Sequence, residues 1–277
     1  MEKIRRARIN VNGLGLFYRD TLLGQQTLLC LHGKYGRGET WNDLMSRYRE
    51  HYRIIAPDQR GHGLTDKPVA RYAADDLATD IHELIEKLEC GPCIVIGHSM
   101  GARVGAHLAV LYPPDVKALA IVEIAGVNGP AKLSDLPPDQ IAPIDRLTAE
   151  WHTPYATYED AIQDLARRFP RESGRRYFLE SLVETVEGYD FMFSRYSMAA
   201  IREYGQNVNE VLPRIHCPVL FVRGANSRAL SRNEAERMSQ LIKNCTWIEI
   251  PNAGHRVYAD NPDELYRQLD RFLREIE

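Results

Sequence analysis

A chain of 277 residues with 44% hydrophobic and 26% charged side chains is long enough for one large α/β domain or two small ones with a sizeable core. Its formal net charge of −3 leaves no broad basic field for nucleic acid or an anionic membrane, and the run Arg5-Arg6-Ala7-Arg8 is too short to create one. No stretch approaches the roughly 18 consecutive apolar residues of a spanning helix, no signal-peptide pattern opens the sequence, and five scattered cysteines do not make a disulfide framework. A reduced, cytoplasmic protein is expected.

In chain order, "RARINVNGLGLFYRD" places an Asn12-Gly13 turn between two alternating runs and predicts an antiparallel hairpin. Short apolar runs at 27–31, 52–57, 93–97, 118–124, 218–224 and 245–251 then read as strands, separated by helical patterns at 73–89, 100–112, 231–242 and 262–276. That alternation predicts a mostly parallel sheet covered on both faces. One stretch, 128–212, breaks the rhythm: it is too long for a plain crossover and carries only helical or irregular patterns. It is expected to be an inserted helical unit, with the core built from 1–127 and 213–277. Its aromatics, including Trp151, Tyr155, Tyr177, Tyr189 and Phe193, can face its own interior or a pocket beneath it.

The stretch "CGPCIVIGHSMG" (90–101) offers two chemistries. A Cys-x-x-Cys dithiol is activated at a helix N-terminus, where the dipole stabilises a thiolate. Here the helical pattern ends near Glu89 and the pair leads into a strand, so Cys90 and Cys93 read as small apolar fillers around a Gly91-Pro92 turn. Ser99, by contrast, stands between a strand and a helix, the context in which a sharp turn exposes a nucleophile and glycines at 97 and 101 relieve the crowding.

These pieces fall into a known order. "LCLHGKYGRGETW", "IIAPDQRGHGLTDKP", "GHSMG" and "IPNAGHRVYADNPDELYRQLDRFL" together resemble the α/β-hydrolase family, in particular its capped serine hydrolases of esterase or lactonase type, over nearly the whole sequence. The resemblance implies a mostly parallel eight-stranded α/β sheet with helices on both faces and a helical cap at 128–212. It implies Ser99 as nucleophile, His255 as general base, and the backbone N–H groups of Lys34 and Met100 as the oxyanion hole. His32, Gly33 and His98 join Trp151, Tyr155, Tyr189 and Phe193 as candidates for the substrate pocket, although His98, inside the elbow, also suits packing into the scaffold. No HxH or HExxH spacing suggests a metal site, so neither metal nor cofactor is expected.

The third member of a triad is less conventional. Many relatives carry an aspartate after the seventh strand, but "VRGANSRALSRNEAE" has Arg228 there, and a guanidinium would repel the imidazolium it should stabilise. Asn226 is uncharged, and Glu234 fits a capping box with Ser231. Glu123, interrupting the apolar run "ALAIVEIAG" of the sixth strand, is better placed, because ionised carboxylates are rarely buried without partners and some family members put the acid here. Its bland role would be to hold loop amides at the sheet edge. The expected activity is cofactor-independent hydrolysis of a small or medium-sized carboxylic ester or lactone. A C–C bond hydrolase, a cofactor-free dioxygenase and a slowly turning ligand receptor are the alternatives on the same fold. The partner is a small molecule; its identity and the oligomeric state are not written in these motifs.

Overall fold

A strand buried on both faces must serve two cores at once, because successive side chains point to opposite sides. In the computed structural model, which describes residues 4–124 and 135–276, Cys93 and Val95 enter one apolar cluster while Ile94 and Ile96 enter the other. Leu29 and Leu31 divide from Leu28 and Cys30 in the same way. The continuous apolar runs of the sequence are therefore the central strands of one sheet.

The hairpin forms as expected. Asn12 and Gly13 take φ values of 50° and 77°, which join β1 (Arg5–Val11) to antiparallel β2 (Leu14–Asp20) with Val11 opposite Leu14. The chain continues through β3 (Thr27–Leu31), the short α1 (Asn42–Tyr48), β4 (Arg53–Pro57), α2 (Ala74–Leu88), β5 (Cys93–His98), α3 (Met100–Leu111) and β6 (Val116–Val122). Next come α4 (Tyr158–Arg168), α5 (Glu172–Leu179), β7 (Leu182–Thr185), β8 (Gly188–Phe191) and α6 (Arg195–Glu203). The last part holds β9 (Val219–Gly224), α7 (Arg232–Gln240), β10 (Cys245–Ile250), α8 (Val257–Asp260) and α9 (Pro262–Ile276). The eight-stranded sheet has the order β1-β2-β4-β3-β5-β6-β9-β10, and only β2 runs against the others.

Helices close both faces through stripes of apolar residues. On α2, Leu77, Ile81, Leu84 and Ile85 point into the first cluster, and on α9, Leu265, Leu269, Phe272 and Leu273 point into the second. Each such side chain contributes about 1.5–3 kcal/mol by leaving water. Among the described residues no helix is long and apolar enough to cross a membrane.

The segment between β6 and β9 differs from the sequence expectation in one respect. It holds helices, but also a two-stranded hairpin, β7–β8, with Leu182 opposite Phe191 and Gly188 at φ 125°. The run "LVETVEGYDF" carries β-branched residues and a glycine turn, and these outweigh the helical pattern on either side. The expected unit began at 128; residues 128–134 lie outside the described residues.

Candidate active site

The turn from β5 into α3 is built by close approach. Ser99 sits at φ 52°, ψ −109°, a conformation that costs a non-glycine residue on the order of 1–3 kcal/mol, and its N–H is held by the Val122 carbonyl at 2.9 Å. A Cβ on Gly97 would stand 2.6 Å from Ala102 Cα, and one on Gly101 would press on the Leu31 and His32 carbonyls of the β3 end. Only glycine at both positions lets the elbow close. Ser99 thereby precedes the first turn of α3, where free N–H groups and the helix dipole favour negative charge.

Glu123, one residue beyond β6, is also at positive φ, 51°, and is fully buried. Its Oε1 accepts the Gly224 N–H at 2.7 Å; its Oε2 accepts the Ser227 hydroxyl at 2.7 Å and the His255 Nδ1–H at 3.0 Å. The two roles weighed for Glu123 coincide in one side chain: it secures the end of β9 and faces the imidazole. A carboxylate at Nδ1 places the ring proton there and leaves Nε2 unprotonated in the neutral ring. The hydrogen bonds at His255 involve Glu123 and His98, not Ser99. Of the other acid candidates, Asn226 and Arg228 are exposed, and Glu234 gives its N–H to Ser231 Oγ at 3.2 Å at the start of α7.

His98 belongs to the scaffold. Its Nε2–H donates to the His255 carbonyl at 2.8 Å, its ring lies 4.8 Å from that of His255, and burial followed by the neighbouring His255 pushes its pKa well below the usual range. Staying neutral, it adds no charge against an imidazolium at His255. Gly33 packs on the same corner: a Cβ there would come within 2.6 Å of His98 Nδ1 and 3.3 Å of Ser99 Cβ.

Lys34 and Met100 offer the backbone N–H groups expected of an oxyanion site, and neither N–H donates to another described residue. The Lys34 ammonium is engaged separately with Asp145, at 2.6 Å. The loop that presents Lys34 is clamped by α5. The Tyr177 hydroxyl lies 3.0 Å from the Gly33 carbonyl and 2.8 Å from the Lys34 carbonyl, and Ser181 Oγ donates to the Tyr35 carbonyl at 2.8 Å. Sequence reading placed Tyr177 only among aromatics with two available faces; the signal it carried was a polar tip on a buried ring, which must find a partner.

A cavity of about 220 Å³ opens beside Ser99, lined among others by Lys34, Tyr72, Met100, Arg103, Arg202 and Tyr204. None of the seven expected pocket residues is among its described lining. His32 is fully buried, donating from Nδ1 to the Gly33 carbonyl and accepting the Gln59 N–H at Nε2, both at 2.9 Å; burial lowers its pKa to about 4. Gly33 and His98 pack beside Ser99 as above. Trp151 and Phe193 form a third apolar cluster with Leu165, Tyr177, Phe178 and Met198, while Tyr155 bonds Asp164 and pairs its backbone with Tyr189.

The chain matches the model of the Alpha/beta hydrolase family over residues 28–268. It belongs to that family. A 2-(acetamidomethylene)succinate hydrolase of Mesorhizobium japonicum is 29% identical over 275 residues, covering 96% of this chain and 94% of its own. A 2-hydroxy-6-oxo-6-(2'-aminophenyl)hexa-2,4-dienoic acid hydrolase of Metapseudomonas resinovorans is 26% identical, covering 96% and 89%. Among solved structures, the crystal structure of E-2-(acetamidomethylene)succinate hydrolase superposes with a TM-score of 0.84 at 25% identity, covering 98% of this chain and 100% of the other.

Two further clusters of this α/β hydrolase lie away from Ser99. Cys90 and Cys93 are buried, with the Cys93 thiol donating to the Cys90 carbonyl at 3.3 Å; the Cys90 contact and burial both push the Cys93 thiol up. His82, Glu86 and Asp115 bring three ligand atoms within 4.8 Å of one another, a grouping the sequence spacing did not expose. It sits at the far end of α2 and α3 from the cavity, where His82 already bonds Asp115 at 2.7 Å and stacks on Tyr112.

Proposed function

We propose that this protein is a serine hydrolase of small or medium-sized carboxylic esters or lactones, with residues 128–212 acting as its cap. The observation that carries the reading is the buried Glu123 carboxylate on His255 Nδ1, beside a strained serine at a helix N-terminus. In the first half-reaction Ser99 Oγ attacks the carbonyl carbon and His255 Nε2 takes its proton. The charge that develops on the carbonyl oxygen is held by the Lys34 and Met100 N–H groups, and Glu123 stabilises the imidazolium. Collapse expels the alcohol, which receives the proton from His255. Water then repeats the sequence on the acyl-Ser99 ester, releasing the acid and restoring the serine. The five free cysteines suit a reducing compartment, and we place the protein in the cytoplasm.

A fluorophosphonate should label Ser99 alone, and Ser99→Ala should abolish both labelling and multiple turnover on a panel of 4-nitrophenyl esters. Labelling that survives in Ser99→Ala refutes the nucleophile. Stoichiometric labelling without multiple turnover on any ester or lactone would instead favour a ligand receptor.

A further inference from the structure

The cavity beside Ser99 has an uneven charge. Lys34, Arg103 and Arg202 all line it, and no Asp or Glu is among its described lining residues. The three cations are not equally satisfied. Lys34 is neutralised by Asp145, which also accepts from Tyr35 at 2.8 Å and Thr148 at 3.2 Å and is fully occupied. Arg103, in the first turns of α3, directs Nη1 to the Gln206 carbonyl at 2.8 Å, and burial holds its guanidinium below the usual value. Arg202, on α6, has its Nη1 buried with no hydrogen-bond partner among the described residues. Leaving a charged donor buried without an acceptor is costly, and a fixed fork of N–H groups matches a carboxylate best.

We propose that the substrate carries a carboxylate in addition to its scissile bond, and that Arg202, with Arg103 beside it, binds that carboxylate in the Ser99 cavity. The inference rests on the serine-hydrolase reading for what happens next, but the anion site itself does not require turnover. The chemistry assigned to the ligand is that of a small mono- or dicarboxylate derivative: the cavity of about 220 Å³ has room for a short chain, and Tyr72, Leu77, Val104, Ile201 and Tyr204 supply apolar walls around it. An anion that enters gains charge-assisted hydrogen bonds, which are roughly twice as strong as those between neutral groups.

The test uses succinate, glutarate and adipate, each paired with its uncharged diamide. Binding to the Ser99→Ala protein is followed by calorimetry in 0.15 M NaCl, and inhibition of 4-nitrophenyl acetate turnover is followed in the wild type. At least one diacid should bind roughly ten-fold or more tighter than its diamide, as a charge-assisted pair predicts. Arg202→Met should erase that preference and Arg202→Lys should restore part of it, with thermal melts to register folding. If Arg202→Met fails to fold, Arg202→Gln, which keeps donors but no charge, replaces it. Three diacids that bind no better than their diamides would overturn the proposal, as would a preference unaffected at Arg202. Absence of any diacid preference with Arg202 in place, alongside Ser99-dependent turnover, removes the anion site and leaves the hydrolase reading intact. A preference that persists where Ser99→Ala does not impair turnover does the reverse.

Discussion

Replacing Glu123 by glutamine changes one atom of the candidate site and keeps its volume. The carboxylate accepts three donors, from Gly224, Ser227 and His255, and the Gly224 N–H at 2.7 Å is a backbone group that cannot turn away. The amide must therefore keep its oxygen on Gly224, since the opposite orientation sets two N–H groups against each other at a cost of about 1–3 kcal/mol. Its NH₂ then faces Ser227 and His255. The serine hydroxyl can rotate to accept, but the imidazole can comply only by moving its proton from Nδ1 to Nε2, and Nε2–H cannot take the proton of Ser99. In the serine-protease template the same exchange costs on the order of 10⁴ in kcat. With Ser227 able to absorb part of the mismatch, a loss of at least roughly 10² is expected here, about 2.7 kcal/mol of transition-state stabilisation, with KM little changed. Steady-state kinetics on the fastest 4-nitrophenyl ester, with melts to show that the variant is folded, measure it. Near-normal turnover in folded Glu123→Gln, together with collapse in Glu234→Gln, would show that the acid comes from the α7 region and that the Glu123 contact is only structural.

Three other outcomes follow from the same geometry. Tyr177→Phe should free the Gly33 and Lys34 carbonyls, lower kcat by roughly ten-fold more than it raises KM, and reduce stability by about 1–3 kcal/mol; an unchanged kcat in the destabilised protein would mean that the clamp only holds the layers together. Cys90→Ala with Cys93→Ala should leave kcat/KM within a few fold, because Cys93 begins β5 and lies about 20 Å of strand from Ser99; dependence of the wild-type rate on reductant would restore a redox role. His32 is buried neutral with its pKa lowered to about 4, so the unfolded chain binds the extra proton between about pH 6.5 and 4, and stability present above that window should fall by about 3 kcal/mol as pH drops through it. His32→Gln should flatten the dependence of the urea midpoint on pH by about one proton in that range, and an identical slope would show that His32 titrates freely in the folded state.

The sequence exposed those parts of this molecule whose chemistry conflicts with their surroundings. A charge in an apolar strand, as at Glu123, has to be paired, and the pairing can be sought among a few residues at the same sheet edge. Ser99 between two glycines at a strand-to-helix junction is legible for a related reason: its backbone position is one that most side chains disfavour, and the neighbours that permit it are written beside it. The cavity lining left no such trace. Trp151 and Phe193 join a separate apolar cluster while Tyr204 lines the cavity, yet all three are aromatics of the same inserted stretch, and only the packing of layers decides which meets which. Arg202 is the sharper case. One arginine on a helix with a polar face reads as a solvated residue, and nothing local says that α6 brings it to the lining of a cavity beside Ser99, 103 residues earlier in the chain. Its buried, unpartnered Nη1 becomes a conflict only after folding, so it carries information about the ligand that no motif could hold. On the proposed reading, recognition rests on side chains whose meaning is tertiary and catalysis on backbone geometry that is local; exchange of Arg202 should alter which molecules bind far more than it alters how Ser99 reacts.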